Sequence, residues 1–407
     1  MFTIPYTYEN EDERYITIPA LRRFAKEKRN EDLRTNIDRA QLFHELKTYA
    51  NQSEEKKEEV KEWLDHVLIE GIKEVQIKYL DMSTLNYFLY DTEYLTSVFE
   101  PLLAEPENRH LCGKYTQDLQ IYKYEIMDTE QGRCIGVYMG KLLCTHDKRN
   151  GAATVPYPIH VEFFLDLGII VSRAKSKSGL YKYMEDFDLN KAEATKAEKE
   201  MKTAIKYLCK LLQIKVADGW EVENKLKKLL YEMLEQYTAT PREIVELIEA
   251  KSTHIENLLE YMMKDICNLP ASYRDDVNSN ILNMVEKYFS ISYPDKKIFT
   301  QDREAYPLKL NATDEEESKV EQTAALEEPL QAKAIFFDNK KMLQKSQACD
   351  GVEFMFNRLN SLYCTKQFKV KFIINTETCI LRFTEYTMEE DIKNVIFSFI
   401  GLKRNLK

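Results

Sequence analysis

The fold is decided by the stretch Ile159-His-Val-Glu-Phe-Phe-Leu-Asp-Leu-Gly168-Ile-Ile-Val-Ser-Arg173-Ala-Lys-Ser-Lys-Ser-Gly-Leu-Tyr-Lys-Tyr183. Its first half is an apolar run of the length and composition typical of a core strand. Gly168 predicts either a turn between two strands or a bulge in one long strand. The second half carries four cations and no acid, and this composition predicts an exposed basic end of the sheet.

Two further runs extend the sheet on the N-terminal side of this stretch. Residues 119–127 and 133–145 alternate like strands, and a five-residue turn that ends in Gly132 joins them. Residues 146–158 contain two prolines and a glycine, so we expect a loop there, with Lys148 and Arg149 near its start. Together these patterns predict a mostly antiparallel sheet.

The whole chain is predicted to be a multidomain, helix-rich α+β protein. Apolar spacing favours helices outside the sheet, and few glycines and prolines, 11 each in 407 residues, argue against an all-β fold. We predict five segments: an N-terminal helical module with a short strand (1–85), a central α+β sheet domain (86–187), a helical bundle or arm (188–306), an acidic linker (307–332) and a C-terminal α+β unit (333–407).

Local signals refine three of these segments. Asp38 and Gln41 have capping-box spacing before an apolar stripe, so a helix is expected to begin there. The run Thr240-Pro-Arg-Glu243 predicts a helix with Thr240 as its N-cap. In the C-terminal unit we expect a strand at Ala334–Phe337, a helix around Val352 to Leu362, a strand pair at 368–374 and 379–386, and a final helix from Met388.

Composition limits the compartment and the partners. The formal net charge is −10, so only a local patch could attract a polyanion. The N-terminus has no signal-peptide pattern, and no apolar window is long enough to span a membrane. The eight cysteines form no Cys-x-x-Cys pair and are expected to be reduced, buried thiols. A cytoplasmic protein without membrane contact is predicted.

Common cofactor and metal signatures are missing from the sequence. There is no phosphate-binding glycine loop, no nucleophile elbow and no kinase signature. His110, Cys112, Cys134, Cys144 and His146 could meet across strands as a zinc site, but their unlike spacings are more typical of scattered core residues. No cofactor and no metal are therefore expected.

The basic end of the opening stretch is the leading candidate for a binding site. Cations with interleaved aromatic rings and serines are what contact with a polyanion requires. The residues predicted to bind nucleic acid are Lys148, Arg149, Arg173, Lys175, Lys177, Tyr181 and Lys182. The alternative for this region is an ordinary solvated hairpin end.

Three functions from different classes follow. The leading hypothesis is a non-catalytic component of a larger intracellular, bacterial-type system, such as phage defence or DNA maintenance, that binds nucleic acid or a protein partner, or forms a homo-oligomer. The second is a metal-dependent nuclease, in which Glu162 and Asp166 share a strand face and Lys175 assists. The third is a protein scaffold that does not bind nucleic acid.

Overall fold

A computed structural model describes residues 2–29, 38–147, 151–313, 319–323 and 328–402. The fold is α+β, as predicted, and contains a large, mostly antiparallel sheet. The helices are α1 Tyr6–Glu9, α2 Ile18–Arg29, α3 Arg39–Ala50, α4 Glu54–Ile69, α5 Thr92–Phe99, α6 Ala197–Leu211, α7 Trp220–Tyr237, α8 Arg242–Glu249, α9 Ser252–Tyr261, α10 Arg274–Ser292, α11 Ala334–Ser346 and α12 Glu389–Phe399.

The strands begin with the short β1, continue with the long strands β2 to β4, and end in the C-terminal quarter of the chain. They are β1 Glu74–Tyr79, β2 Gln120–Thr129, β3 Gly132–Asp147, β4 Gly151–Phe164, β5 Ile169–Ala174, β6 Leu180–Lys182, β7 Ala194–Thr195, β8 Ala305–Thr313, β9 Lys319–Thr323, β10 Gly351–Asn357, β11 Gln367–Asn375 and β12 Thr378–Phe383.

The chain divides into two compact units. Among the described residues, the first contains 2–226 and 358–397, and the second contains 227–357 and 398–402. The five predicted segments do not coincide with these units. In particular, β12 pairs antiparallel with β1, so part of the predicted C-terminal unit belongs to the same sheet as the N-terminal strand. Strand pairing between distant segments leaves no local trace in a sequence.

In the first unit the strands follow the order β7, β6, β3, β4, β5, β1, β12, β11, and β2 also pairs with β3. Gly168 lies in a tight turn between β4 and β5 at a φ of +62°, which decides between the two predicted alternatives. Left-handed backbone of this kind favours glycine.

Alternation along β4 and β5 gives the hairpin one apolar face and one polar face. Ile159, Val161 and Phe163 belong to a core cluster that includes Met201 and Leu208 of α6. His160 and Glu162 alternate with them, and His160 is directly opposite Arg173 in the register. The polar face of the hairpin therefore points away from α6.

Residues 151–158, expected as a loop, are instead the first half of β4. Pro156 and Pro158 pair with β3, whereas the pairing of β4 with β5 starts only at Ile159. A proline is tolerated where a strand has one neighbour, because its missing N–H then faces away from the ladder.

The second unit corrects three further expectations. The predicted linker 307–332 includes most of β8 and all of β9, which pair with each other. The predicted strand at 334–337 is the start of α11, and the predicted helix around 352–362 begins as β10. In β10 the buried residues Val352, Phe354 and Phe356 lie at intervals of two, which is the period of a strand and not of a helix.

Of the two predicted helix N-caps, Asp38 is confirmed and Thr240 is wrong. The Asp38 side chain accepts a hydrogen bond from the Gln41 backbone N–H at 2.8 Å, as the capping spacing predicted. Helix α8 begins one residue later than expected, with Pro241 at the N-cap position. The Thr240 hydroxyl instead donates to Glu286 at 2.7 Å.

Candidate functional site

The basic tip, defined as Arg173, Lys175, Lys177 and Lys182, is not a free cationic surface. Arg173 and Lys175 are 1% and 6% exposed. Lys177 forms an ion pair with Glu13, and Lys182 forms one with Glu193 at 2.6 Å. The charges that the sequence concentrates here are therefore buried or compensated by acids from other segments.

The remaining members of the predicted nucleic-acid site give it little support. Tyr181 lies on β6, and its ring packs edge-on against Phe187 at 5.4 Å between centroids. Lys148 and Arg149 lie outside the described residues. The described tip residues thus do not combine free cations with free rings, which a phosphate and base contact would need.

Lys175 is enclosed by residues near the N-terminus, among them Tyr15. Its Nζ lies 4.4 Å from the centroid of the Tyr15 ring, and Nζ of Lys73 lies 5.4 Å from the same centroid. No hydrogen-bond acceptor for the Lys175 amine is found among the described residues. Burial lowers the pKa of Lys175 to about 7, because an enclosed amine favours its neutral form.

Arg173 belongs to an ionic cluster with Glu162, Glu389 and Lys393. The Arg173 guanidinium donates to both carboxylates. Lys393 Nζ lies 3.0 Å from Glu389 Oε1 and 3.5 Å from Glu162 Oε1. Two cations thus balance two carboxylates, and the cluster joins α12 to the polar face of the β4–β5 hairpin.

The environment of the cluster keeps its carboxylates charged. Burial strongly opposes ionisation of Glu162 and Glu389, but the charges of Arg173 and Lys393, with the other groups around them, together outweigh it and hold the pKa of both below the usual range. For His160, burial lowers the pKa to about 4. Its two ring nitrogens have no hydrogen-bond partner among the described residues, so His160 is a neutral, enclosed imidazole beside the cluster.

The carboxylates of the nuclease hypothesis do not share a strand face. β4 ends at Phe164, and Asp166 lies in the turn that follows, so strand alternation does not extend from Glu162 to Asp166. Asp166 instead accepts hydrogen bonds from the Tyr90 hydroxyl at 3.2 Å and from the Arg133 backbone N–H at 2.6 Å. Glu162 is already neutralised by Arg173.

The dispersed histidines and cysteines also remain separate. His110 lies between Asp65 and Glu58, with nitrogen to oxygen distances of 2.7 and 2.5 Å. Within the described ranges no three His, Cys, Asp or Glu side chains are arranged to hold a metal ion. In the same ranges no helix is long and apolar enough to cross a membrane.

The opposite end of the β4–β5 hairpin presents what we call the aromatic surface: Met82, Tyr87, Phe88 and Tyr90. Their exposed fractions are 53%, 76%, 42% and 45%. The ring centroids of Tyr87 and Phe88 lie 4.1 Å apart. Met82 covers the turn at Gly168, where an added Cβ would meet its sulfur at 2.5 Å. Large exposed side chains of these types are enriched at protein interfaces.

The segment that carries the aromatic surface is held by a buried framework. It consists of two short 3₁₀ turns, Met82–Thr84 and Tyr87–Tyr90, followed by α5. Leu89, between the exposed rings, is fully buried in the core. The Asp91 side chain accepts from the Glu93 backbone N–H at 2.8 Å and caps α5. The rings are thus exposed on an ordered segment.

Four acidic residues lie in or beside the segment that carries these rings. The stretch 80–93 contains Asp81, Asp91 and Glu93 and no Lys or Arg, and Asp166 bonds to Tyr90. Two cations lie near this segment. Arg133 of β3 is already paired with Asp128 at 2.8 Å, and the exposed Lys215 lies beside Asp81, whose backbone N–H donates to the Lys215 carbonyl. The four acids still outnumber these cations. An acidic rim of this kind repels phosphate and attracts a cationic partner.

Sequence reasoning missed this surface. The run Asn86-Tyr-Phe-Leu-Tyr-Asp91 fits neither strand nor helix spacing, and three aromatic residues in such a run are the one signal that could have identified it. Comparison with family models, with curated proteins and with solved structures found no match for this chain.

Proposed function

We propose that the protein is a non-catalytic binding protein that uses the aromatic surface to hold a protein partner. The main observation in support is that Met82, Tyr87, Phe88 and Tyr90 are exposed on one ordered segment. A few residues supply most of the binding energy at protein interfaces, and tyrosine is enriched among them. Of the original hypotheses, these contacts favour partner binding over nucleic-acid binding.

The chemistry of the partner follows from charge. The acids around the rings favour a segment with Lys or Arg beside apolar side chains, because opposite charges at a rim speed association and exclude wrong partners. The same acids disfavour DNA and RNA. A role in phage defence or DNA maintenance stays a prediction that neither the fold nor the contacts address.

Fluorescence anisotropy with three labelled probes tests this function. The probes are a peptide of alternating Lys and Leu, a matched peptide of Glu and Leu, and a single-stranded DNA oligonucleotide. We expect saturable binding of the Lys–Leu peptide only. Replacing Tyr87 and Phe88 together by Ser should weaken it about thirtyfold, which corresponds to about 2 kcal/mol for a hot spot.

Matched variants separate the surface from general effects. Glu93→Lys should weaken binding of the Lys–Leu peptide, whereas Glu55→Lys, at the equivalent second position of α4, should not. Tyr207→Ser removes an exposed ring from α6 and should leave binding unchanged. Equal binding of all probes, or unaltered binding by the Tyr87/Phe88 double variant, would overturn the proposal. Concentration-dependent dimers that the double variant abolishes would show a second copy as the partner instead.

A further inference from the structure

The second unit contains a cavity of about 440 Å³ between the end of α7 and α11. Its floor consists of buried side chains, among them Tyr231, Leu234 and Phe336. Its rim carries Glu232 and Glu235. The volume falls within the range of about 300–1,000 Å³ typical of small-molecule sites. An apolar, partly aromatic floor with a few polar groups above it is the usual form of such a site.

The charge of this cavity is negative where a ligand would enter. Glu235 accepts a hydrogen bond from the Tyr231 hydroxyl at 2.6 Å, and no cation pairs with it in the part of the chain that the structure describes. Glu232 has only a long contact with Lys228, 3.9 Å. Both carboxylates are solvent-exposed and can reorient toward a ligand.

The cationic side chain in the wall does not cancel this charge. Lys340 Nζ lies 2.5 Å from Glu286 Oε2, and Glu286 also accepts from the Thr240 hydroxyl. Lys340 and Glu286 also line an adjoining depression of about 280 Å³, which includes a further acid, Asp275. Across both depressions the acids outnumber the single lysine.

The backbone carbonyls at the end of α7, next to the cavity, already accept hydrogen bonds from other residues. The Arg303 guanidinium donates to the backbone carbonyls of Tyr237 and Ala239, and the Gln331 amide donates to that of Thr238 at 2.6 Å. The exposed carbonyl ends of a helix would otherwise compete for a cation. The charged groups left to bind a ligand are therefore the carboxylates, which lie beside the buried rings and the exposed amides of Gln236 and Gln344.

We infer that this cavity binds a small organic cation in which a protonated amine adjoins an apolar or aromatic group. Glu235 and Glu232 would receive the ammonium, and Tyr231 and Phe336 would contact the apolar part. Charge-assisted hydrogen bonds and ring contacts are the interactions by which proteins select such cations. The site goes beyond the partner surface proposed above and does not depend on it.

Calorimetric titration of the full chain with three isosteric probes tests the inference. Phenethylamine carries the cation, 2-phenylethanol is its neutral counterpart, and phenylacetate carries the opposite charge. We expect one phenethylamine to bind per chain, the alcohol to bind at least about tenfold more weakly, as expected for loss of a charged hydrogen bond, and the acid not to bind.

Two substitutions locate the site. Glu235→Gln should weaken phenethylamine binding by about tenfold or more, with an unchanged melting temperature because the side chain is exposed. Glu246→Gln removes an acid that is exposed on α8 and pairs with Arg242, outside the cavity, and should bind as the wild type does. The inference is overturned if phenethylamine does not bind, if the alcohol binds equally well, or if Glu235→Gln has no effect on binding.

Discussion

The two ends of the β4–β5 hairpin differ in exposure, and the difference is the opposite of what their sequences predict. One end carries four cations, yet Arg173 and Lys175 are enclosed and the others are ion-paired. The other end is the turn at Gly168, beside which the side chains of Met82 and Tyr90 remain exposed. A high density of charged residues in one segment therefore does not show that the segment is exposed, because residues from other segments can bury those side chains.

The cover comes from opposite ends of the chain. Glu389 and Lys393 of α12 close over Arg173, while Glu13 and Tyr15 close over Lys177 and Lys175. At the Gly168 end the described residues leave the rings open. If the contrast is correct, substitutions at the enclosed end should change stability, and those at the open end should change binding.

The largest effect is expected at the ionic cluster. Arg173→Met leaves two carboxylates without their main cation, so the free energy of unfolding should fall by about 3–5 kcal/mol, the usual cost of breaking a buried pair. Urea denaturation measures this loss. Lys182→Met provides the control: it removes a cation from an exposed pair and should change stability much less. Similar losses in the two variants would contradict the assignment of Arg173 to a buried cluster.

The next effect concerns Lys175 in alkaline solution. The unfolded chain holds this proton up to the usual lysine pKa, near 10.5, whereas the folded state releases it near 7. Between about pH 7 and about pH 10 the unfolding free energy should therefore rise with pH, by up to about 1.4 kcal/mol per unit from this group. Below pH 7 this contribution is constant.

Lys175→Met should remove that part of the rise. Lys73, whose pKa burial also lowers, keeps its own contribution, so the slope should decrease rather than vanish. Denaturation of wild type and variant at a series of pH values makes the comparison. Parallel curves for the two proteins would show that Lys175 is solvated.

A smaller effect is expected in acid from His160. The unfolded chain protonates this imidazole near pH 6.5, but the folded state resists until about pH 4. Stability is thus lost as the pH falls through this window, by about 2 kcal/mol between about pH 7 and about pH 5. His160→Gln should reduce the loss over that interval, which thermal denaturation at both pH values can measure. An unchanged loss would contradict the burial of a neutral His160.

The smallest effect on stability belongs to the open end. Tyr87→Ser truncates a ring that is 76% exposed, so the free energy of unfolding should change by no more than about 0.5 kcal/mol. The same substitution, together with Phe88→Ser, is the one expected to weaken partner binding. A large loss of stability in Tyr87→Ser would mean that the ring is structural and that the aromatic surface is part of the core.

Local patterns predicted much of the sheet and little of the site. β2, β3 and the break at Gly168 were found where alternation and turn residues indicated them, and a short strand, β1, lies within the N-terminal segment as expected. Arg173 was assigned to an exposed tip because nothing near it in sequence shows that Glu389, 216 residues away, will neutralise it. Likewise, Glu162 and Asp166 have the spacing of a shared face, but the strand ends between them.

The structure shows Gly168 to be the turn of the β4–β5 hairpin and not a bulge. By itself the sequence determined the α+β class and the strand-forming runs on either side of Gly168, because alternation depends on neighbouring residues only. It could not determine which faces of that hairpin would be covered. Burial of Arg173 and exposure of Tyr87 depend on how α12, the N-terminal segment and the 82–90 turns pack, and those contacts join residues far apart in the chain. Tertiary structure decided which residues are open to a partner, because exposure, and not residue type, governs which groups can meet one.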